Sequence, residues 1–78
     1  MTLPQLTLYT RAGCHLCEAA EEVIRRLSPG RAEVSVVDID QNEALRERYT
    51  VRVPVVELDG VEIAEYEVDA AALGVLLG

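Results

Sequence analysis

Apolar residues in the first half of the chain follow the spacing of a strand, then of a helix, then of a strand again. Residues 6–9 have the composition of a β-strand. The next apolar residues recur at spacings of 4, 3, 1 and 3, which predicts one buried face of an α-helix. They are Leu16, Ala20, Val23, Ile24 and Leu27. A Ser-Pro-Gly sequence at residues 28–30 predicts the end of this helix. The β-branched residues of segment 33–39 are typical of a strand buried on both faces.

A short helix and a third strand are predicted next. Asp40 stands three residues before Glu43, a capping pattern for a short helix that ends near Tyr49. Pro54 then opens a predicted strand over residues 55–58. The short helix is therefore expected to connect the second strand to the third.

The last part of the chain predicts a hairpin and a final helix. Asp59 and Gly60 are the strongest hairpin signal of the sequence, because both residues tolerate positive φ, and residues 61–64 are the return strand. Asp69 is the predicted N-cap of a final helix. Its apolar positions include Leu73, Leu76 and Leu77. Gly74 lies inside this helix and costs about 1 kcal/mol relative to alanine.

The predicted order of elements is β-α-β-α-β-β-α. The strand–helix–strand start implies a right-handed parallel connection, and the hairpin implies an antiparallel pair. Together they predict a mixed four-stranded sheet with helices on its faces, a three-layer α/β sandwich of the thioredoxin type. We interpret the three tyrosines as residues at the edge of its core; they are Tyr9, Tyr49 and Tyr66.

Length and charge exclude several classes of function. The 78 residues are expected to form a single domain, residues 1–78. The chain has 7 Lys and Arg against 14 Asp and Glu, and this net charge of −7 argues against nucleic-acid binding, which needs clustered cations. No apolar run approaches the ~20 residues that span a bilayer, and the first residues lack the pattern of a signal peptide. We therefore expect a cytoplasmic protein with no membrane partner and with reduced thiols.

The two cysteines, Cys14 and Cys17, form a C-x-x-C sequence where the loop after the first strand enters the first helix. Unpaired N–H groups and the positive end of the helix dipole meet there, so we expect the pKa of the Cys14 thiol to fall below about 8.5. Arg11 and His15 would add positive charge beside it. Cys17, one turn further along, is placed to attack a mixed disulfide on Cys14. The pattern therefore favours a redox-active pair.

Two segments of the chain resemble the glutaredoxins. Residues 8–17, Leu-Tyr-Thr-Arg-Ala-Gly-Cys-His-Leu-Cys, are similar to the segment that leads from a strand into that family's active site. Residues 53–55, Val-Pro-Val, resemble the segment that holds a cis-proline opposite the active-site cysteines, and the distance to the Asp59–Gly60 hairpin also matches. The resemblance covers nearly the whole chain and is greatest to short bacterial glutaredoxin-like proteins. It implies a glutaredoxin-type fold and a thiol–disulfide oxidoreductase.

The resemblance implies a role for each matched residue. Cys14 would be the nucleophile and Cys17 the resolving thiol. Arg11 matches a basic position that contacts a carboxylate of glutathione. Val53 would offer its backbone to a bound cysteinyl peptide in a strand-like pairing, and Pro54 would be the cis-proline.

The departures from the family concern the binding of glutathione. His15 and Leu16 stand where glutaredoxins commonly have proline and an aromatic residue. Ala and Glu at residues 64–65 replace the two glycines that help to hold glutathione in the family. The acidic residue that follows those glycines and also contacts glutathione would be Glu67 or Asp69 here. Because extra carboxylates would lie close to an anionic tripeptide, glutathione is expected to bind weakly.

We therefore expect a monomer without a bound cofactor that reacts with protein disulfides or with a dithiol reductase, and with glutathione as an alternative reductant. The acidic surface would favour a partner with a basic surface. The residues expected to bind substrate are Arg11, His15, Val53, Pro54 and Asp69.

Other interpretations of the C-x-x-C sequence stay open. It is half of a zinc site, but the sequence has no third or fourth cysteine, and we expect no bound metal. Two inert buried cysteines are a second alternative. A Cu(I)-carrying module would use two thiolates, although such modules have the order β-α-β-β-α-β and a methionine where this chain has Ala12. A non-catalytic binding module of the same fold is the remaining alternative.

Overall fold

The computed structural model describes residues 2–50 and 52–78. Its elements are β1 (Gln5–Thr10), α1 (His15–Leu27), β2 (Glu33–Asp38), a 3₁₀ turn (Ile39–Gln41), α2 (Glu43–Tyr49), β3 (Val55–Leu58), β4 (Val61–Glu65) and α3 (Ala70–Leu77). The order β-α-β-α-β-β-α is the predicted one. Within these two described segments, no helix is long and apolar enough to cross a bilayer.

The four strands form one mixed sheet in the order β2-β1-β3-β4. β1 pairs with β2 in parallel and with β3 in antiparallel orientation. The β3–β4 pair is antiparallel, with an irregularity in its register between Val56 and Glu57. The predicted mixed four-stranded sheet is therefore confirmed.

The protein has two hydrophobic cores, one on each face of the sheet. The side chains of the two central strands alternate between them, because successive side chains of a strand point to opposite faces. One core lies between the sheet and the helices α1 and α3. Its buried members are Leu6, Leu8, Ala20, Ile24, Ala32, Val56 and Leu73. The other core lies on the opposite face under α2. Its buried members are Ile39, Tyr49 and Val55, with Tyr9, Leu45 and Val53 packed against them. The structure is thus the predicted three-layer sandwich.

A buried tyrosine pair joins α2 to the sheet. The rings of Tyr9 and Tyr49 are stacked with centroids 4.8 Å apart. Both hydroxyl groups donate to the carboxylate of Glu57 on β3, each at 3.1 Å. Burial, followed by the hydrogen bond to Glu57, raises the pKa of both tyrosines. Tyr9 is half-buried at the edge of the second core, as predicted, whereas Tyr49 lies fully buried within it.

The prediction that the second strand is buried on both faces is wrong. β2 is an edge strand, with β1 as its neighbour in the described sheet. Val36 is exposed and Val34 is half-buried. The strand ends at Asp38, and Ile39 begins the 3₁₀ turn with its side chain buried in the second core. The β-branched composition thus reflects strand propensity rather than double burial.

The capping pattern proposed for Asp40 and Glu43 is also corrected. Asn42 is the N-cap of α2, and its Oδ1 accepts the N–H of Leu45 at 3.1 Å. Asp40 lies in the 3₁₀ turn before it. The helix ends at Tyr49, as predicted.

The hairpin and the last cap agree with the sequence-based expectation. Asp59 and Gly60 have φ values of 51° and 84°, the left-handed conformation that a two-residue hairpin turn requires. Asp69 caps α3, since its Oδ1 accepts the N–H groups of Ala71 and Ala72 at 2.9 and 3.3 Å. β4 extends to Glu65, one residue beyond the predicted end.

The tyrosine pair predicts a loss of stability at alkaline pH. The pKa of each tyrosine is raised in the folded state, whereas in the unfolded chain it is about 10. The stabilisation is therefore complete below pH ~10 and is lost as the pH rises through the folded-state values. We expect Tyr49→Phe to lower the free energy of unfolding at pH 8 by about 1–3 kcal/mol, because a hydrogen bond to a charged group is removed.

The same variant should flatten the alkaline decline, which urea unfolding at a series of pH values up to about 11 would measure. Tyr66→Phe is the matched control, since Tyr66 is exposed and should leave the decline unchanged. An identical alkaline decline in wild type and Tyr49→Phe would contradict this prediction.

Candidate functional site

Cys14 lies at the N-terminus of α1, at the junction between strand and helix. Gly13, with φ of 78°, makes the turn that leads from the loop into this position. Cys14 is the N-cap of the helix: its Sγ accepts the N–H of Cys17 at 3.1 Å, and its carbonyl accepts the N–H of Glu18 at 3.1 Å. The sulfur therefore faces N–H groups that the first turn of a helix leaves without partners.

Cys14 and Cys17 form a disulfide, with their Cα atoms 5.2 Å apart. The two cysteines differ in exposure, because Cys17 is 2% exposed whereas Cys14 is half-buried. A reagent in solution reaches Cys14 first, and Cys17 lies behind it in the first turn of α1. This asymmetry is the one that a nucleophilic and a resolving thiol need.

A cis-proline lies at the same end of the sheet as the disulfide. The Val53–Pro54 peptide bond is cis. Val55, the next residue, pairs with Tyr9 near the end of β1, the strand that leads to Cys14. Among the described residues, no hydrogen bond joins the backbone of Val53 to another residue.

Arg11 is held by contacts within the protein. Its guanidinium donates two hydrogen bonds to the carboxylate of Asp40, at 2.8 and 3.2 Å, and a third to the carbonyl of Thr50 at 2.9 Å. These contacts connect the turn before Cys14 to both ends of the α2 region. The predicted substrate contact of Arg11 would therefore compete with Asp40.

His15 and Asp69 have different surroundings. His15 is the first residue of α1 and its side chain is 95% exposed, with Nδ1 3.5 Å from the Glu18 carboxylate. Asp69 uses one carboxylate oxygen to cap α3, after the loop that follows β4. Cys14, His15 and Cys17 thus come together at one helix terminus, whereas Asp69 belongs to another.

Tyr66 is a candidate residue that the sequence reasoning missed, since it was assigned to the edge of the core. Its side chain is 44% exposed, and its φ of 64° is uncommon for an aromatic residue. Its N–H donates to the carbonyl of Pro54 at 2.7 Å, which places it beside the cis-proline. A regular hairpin count from Asp59–Gly60 would have paired Pro54 with Glu65, and the irregularity between Val56 and Glu57 shifts the neighbour to Tyr66, so the sequence carried no direct signal for this contact.

Metal binding would depend on the two thiols. Within residues 2–50 and 52–78, no group of three or more His, Cys, Asp or Glu side chains is placed to hold a metal ion. Cys14 and Cys17 are paired with each other in a disulfide. The arrangement is therefore suited to exchange between a dithiol and a disulfide.

Comparisons with known proteins agree with this geometry. The family model described as "Glutaredoxin-like domain (DUF836)" matches residues 5–78. An uncharacterized protein of Mycobacterium tuberculosis is 39% identical over 75 residues, which covers 88% of this chain and 77% of that protein. A protein of Nitrosomonas europaea, solved by NMR, is similar with a TM-score of 0.81 and 34% identity, over 100% of this chain and 95% of that one. A mutant thioredoxin from Halobacterium salinarum has a TM-score of 0.72 and 32% identity, over 97% of this chain and 73% of that one.

The position of Cys14 predicts an activated thiol in the reduced protein. We expect Cys14 to be alkylated with an apparent pKa below about 8.5, because the first turn of α1 stabilises its thiolate. The rate of reaction of Cys17→Ser with iodoacetamide, measured as a function of pH, gives this value. Cys14→Ser, which keeps the buried Cys17, is the matched control and should titrate higher because burial disfavours a thiolate. If Cys14 titrates no lower than Cys17, the helix terminus does not activate it.

Proposed function

The chain belongs to the glutaredoxin-like family of the thioredoxin superfamily, and on this premise we propose that it is a thiol–disulfide oxidoreductase. The proposal rests on one observation above all: in the Cys14–Cys17 disulfide, the half-buried Cys14 caps a helix N-terminus and Cys17 is buried in the first turn behind it. Within a thioredoxin fold, that pair is suited to accept and return two electrons.

In the proposed reaction, the reduced protein attacks a disulfide of a partner protein. The Cys14 thiolate bonds to one partner sulfur, the partner disulfide breaks, and the other partner sulfur leaves as a thiolate. The N–H of Cys17 and the dipole of α1 hold the attacking thiolate in place before this step. The product is a mixed disulfide between Cys14 and the partner.

The second step releases the partner. Cys17 loses its proton to the solvent or to the departing partner thiolate, and its sulfur attacks the Sγ of Cys14. The mixed disulfide breaks, the partner leaves as a dithiol, and the Cys14–Cys17 disulfide forms. Two electrons have then moved from this protein to the partner, and an external dithiol or two thiols must return them.

The cis-proline segment supports a binding role in both steps. The backbone of Val53, beside Pro54, is the proposed partner for an extended cysteinyl peptide, which it would bind as an added strand. His15 is the exposed residue next to the nucleophile and would contact the bound substrate. These contacts would orient the scissile disulfide toward Cys14.

A protein dithiol is the proposed reductant in preference to glutathione. The guanidinium of Arg11 is engaged by Asp40, so a carboxylate of glutathione would have to displace an existing bidentate ion pair. Asp69 already caps α3. We propose that the monomer works in the cytoplasm, where reductants would regenerate its dithiol.

A Cu(I)-carrying module of the order β-α-β-β-α-β does not match the order of elements in this fold. A non-catalytic binding module keeps the same fold and the same disulfide, so turnover is the property that separates it from an enzyme.

We expect catalytic reduction of a protein disulfide, such as that of insulin, to be faster with a thioredoxin-type reductase as the electron source than with glutathione. Cys14→Ser should abolish turnover, whereas Cys17→Ser should accumulate a mixed disulfide with the substrate, which mass spectrometry detects. The two serine variants are matched controls for each other. Failure of the wild type to turn over with both reductants would reject the enzyme and favour the binding module.

A further inference from the structure

An apolar groove lies between β4 and the start of α3, on the side of the sheet that carries α1. Its volume is about 200 Å³. The residues that line it are Val56, Ile63, Ala64, Glu65, Glu67, Val68, Asp69, Ala72, Leu73 and Leu76. Pockets that enclose a whole small ligand measure roughly 300–1,000 Å³. The groove is therefore sized for a single side chain of a larger partner.

The rim of the groove is acidic. Glu65, Glu67 and Asp69 contribute carboxylates to it. Glu65 is paired with Arg52, which also binds Glu62, and Asp69 caps α3. Within residues 2–50 and 52–78, the exposed Glu67 side chain makes no ion pair. Glu67 therefore offers a negative charge that a cation of a partner can neutralise.

The apolar surface continues from the groove onto α3. Leu76, which lines the groove, is 53% exposed, and its neighbour Val75 is 82% exposed. Every residue of α3 is apolar or glycine, although Leu73 is its buried member. A helix without a polar face is normally covered by other protein. The surface around Leu76 thus has the character of a contact surface with a charged border.

The groove begins beside the end of the sheet that carries the disulfide and the cis-proline. Tyr66, between the rim residues Glu65 and Glu67, donates its N–H to the carbonyl of Pro54. Val56, two residues after Pro54, lies in the floor. The groove is therefore adjacent in the fold to the segment proposed to bind an extended peptide.

We propose that this groove, defined here as the β4–α3 groove, docks a basic segment of the partner protein. One aliphatic side chain of the segment fills the groove and contacts Leu73 and Leu76, and an adjacent Arg or Lys pairs with Glu67. The inference rests on the proposed oxidoreductase function, because it names the class of protein that the enzyme acts on. The acidic rim supplies the charge complementarity, which favours basic partners and disfavours acidic ones.

The test measures binding without chemistry. Oxidised wild-type protein is titrated with short cysteine-free peptides that carry a central leucine flanked by arginine, the same leucine flanked by glutamate, or a central alanine flanked by arginine. We expect the arginine–leucine peptide to bind most tightly, with an affinity that falls as salt is added. Its NMR shift changes should cluster at the β4–α3 groove.

Two matched pairs of variants locate the contact. Glu67→Gln should weaken the arginine–leucine peptide about two- to fivefold, the effect of one exposed ion pair, whereas Glu47→Gln on the opposite layer removes the same charge and should have no effect. Ala72→Leu fills the groove and should weaken binding about tenfold or more. Ala71→Leu is its control: it places the same side chain at an exposed neighbouring position outside the groove and should leave the affinity for the peptide unchanged.

Equal binding of the arginine and glutamate peptides, or shift changes that lie elsewhere, would overturn the proposal. So would shift changes in the groove that depend on protein concentration without peptide, since they would identify a second copy of the chain as the occupant. Turnover with a small uncharged disulfide separates the two proposals. If the protein reduces that disulfide but does not discriminate between the peptides, the groove proposal fails and the oxidoreductase proposal stands. If the protein binds the peptides selectively but turns over no disulfide, the groove proposal stands and the oxidoreductase proposal fails.

Discussion

The antiparallel pairing of β1 with β3 at the centre of the sheet is the constraint on which the site depends. The pairing of Tyr9 with Val55 brings the end of β1 to the start of β3. The chain leaves β1 toward Cys14 and enters β3 through Pro54, so one register places the disulfide and the cis-proline at the same end of the sheet. A slip of one residue would turn the side chains of β3 to the opposite faces and exchange the two cores.

Two arginines near the disulfide end of the sheet form ion pairs with carboxylates of the protein itself. Arg11 is bound to Asp40, and Arg52 is bound to Glu62 and Glu65. Those ion pairs are partly exposed and contribute little to stability, but they leave Glu67 as an acid without an ion pair among the described residues. The chain has a net charge of −7, and this negative field is the basis of the proposed preference for basic partner proteins over anionic thiols.

Two local predictions failed where tertiary contacts outweighed local pattern. The β-branched residues of β2 indicate a strand correctly, but they do not tell how many neighbours the strand has, and β2 lies at the edge. Asp40 has the spacing of a helix cap, yet its carboxylate binds Arg11, which is 29 residues away, and Asn42 caps α2 instead. In both cases the outcome depends on segments distant in the sequence: on which strands pair with β2, and on the ion pair between Asp40 and Arg11.

The sequence by itself determined the order of the elements, the Asp59–Gly60 hairpin, the Asp69 cap and the place of Cys14 at a strand–helix junction. Each follows from backbone preferences and spacings within a few residues. The resemblance to glutaredoxins added the expectation of a cis bond at Pro54, which the structure shows. Only the tertiary structure decided that Arg11 is paired with Asp40, that Tyr66 lies beside Pro54 and that an apolar groove with an acidic rim lies between β4 and α3. Those features join segments far apart in the chain, and their contacts exist only after the strands have paired and the helices have packed on the sheet.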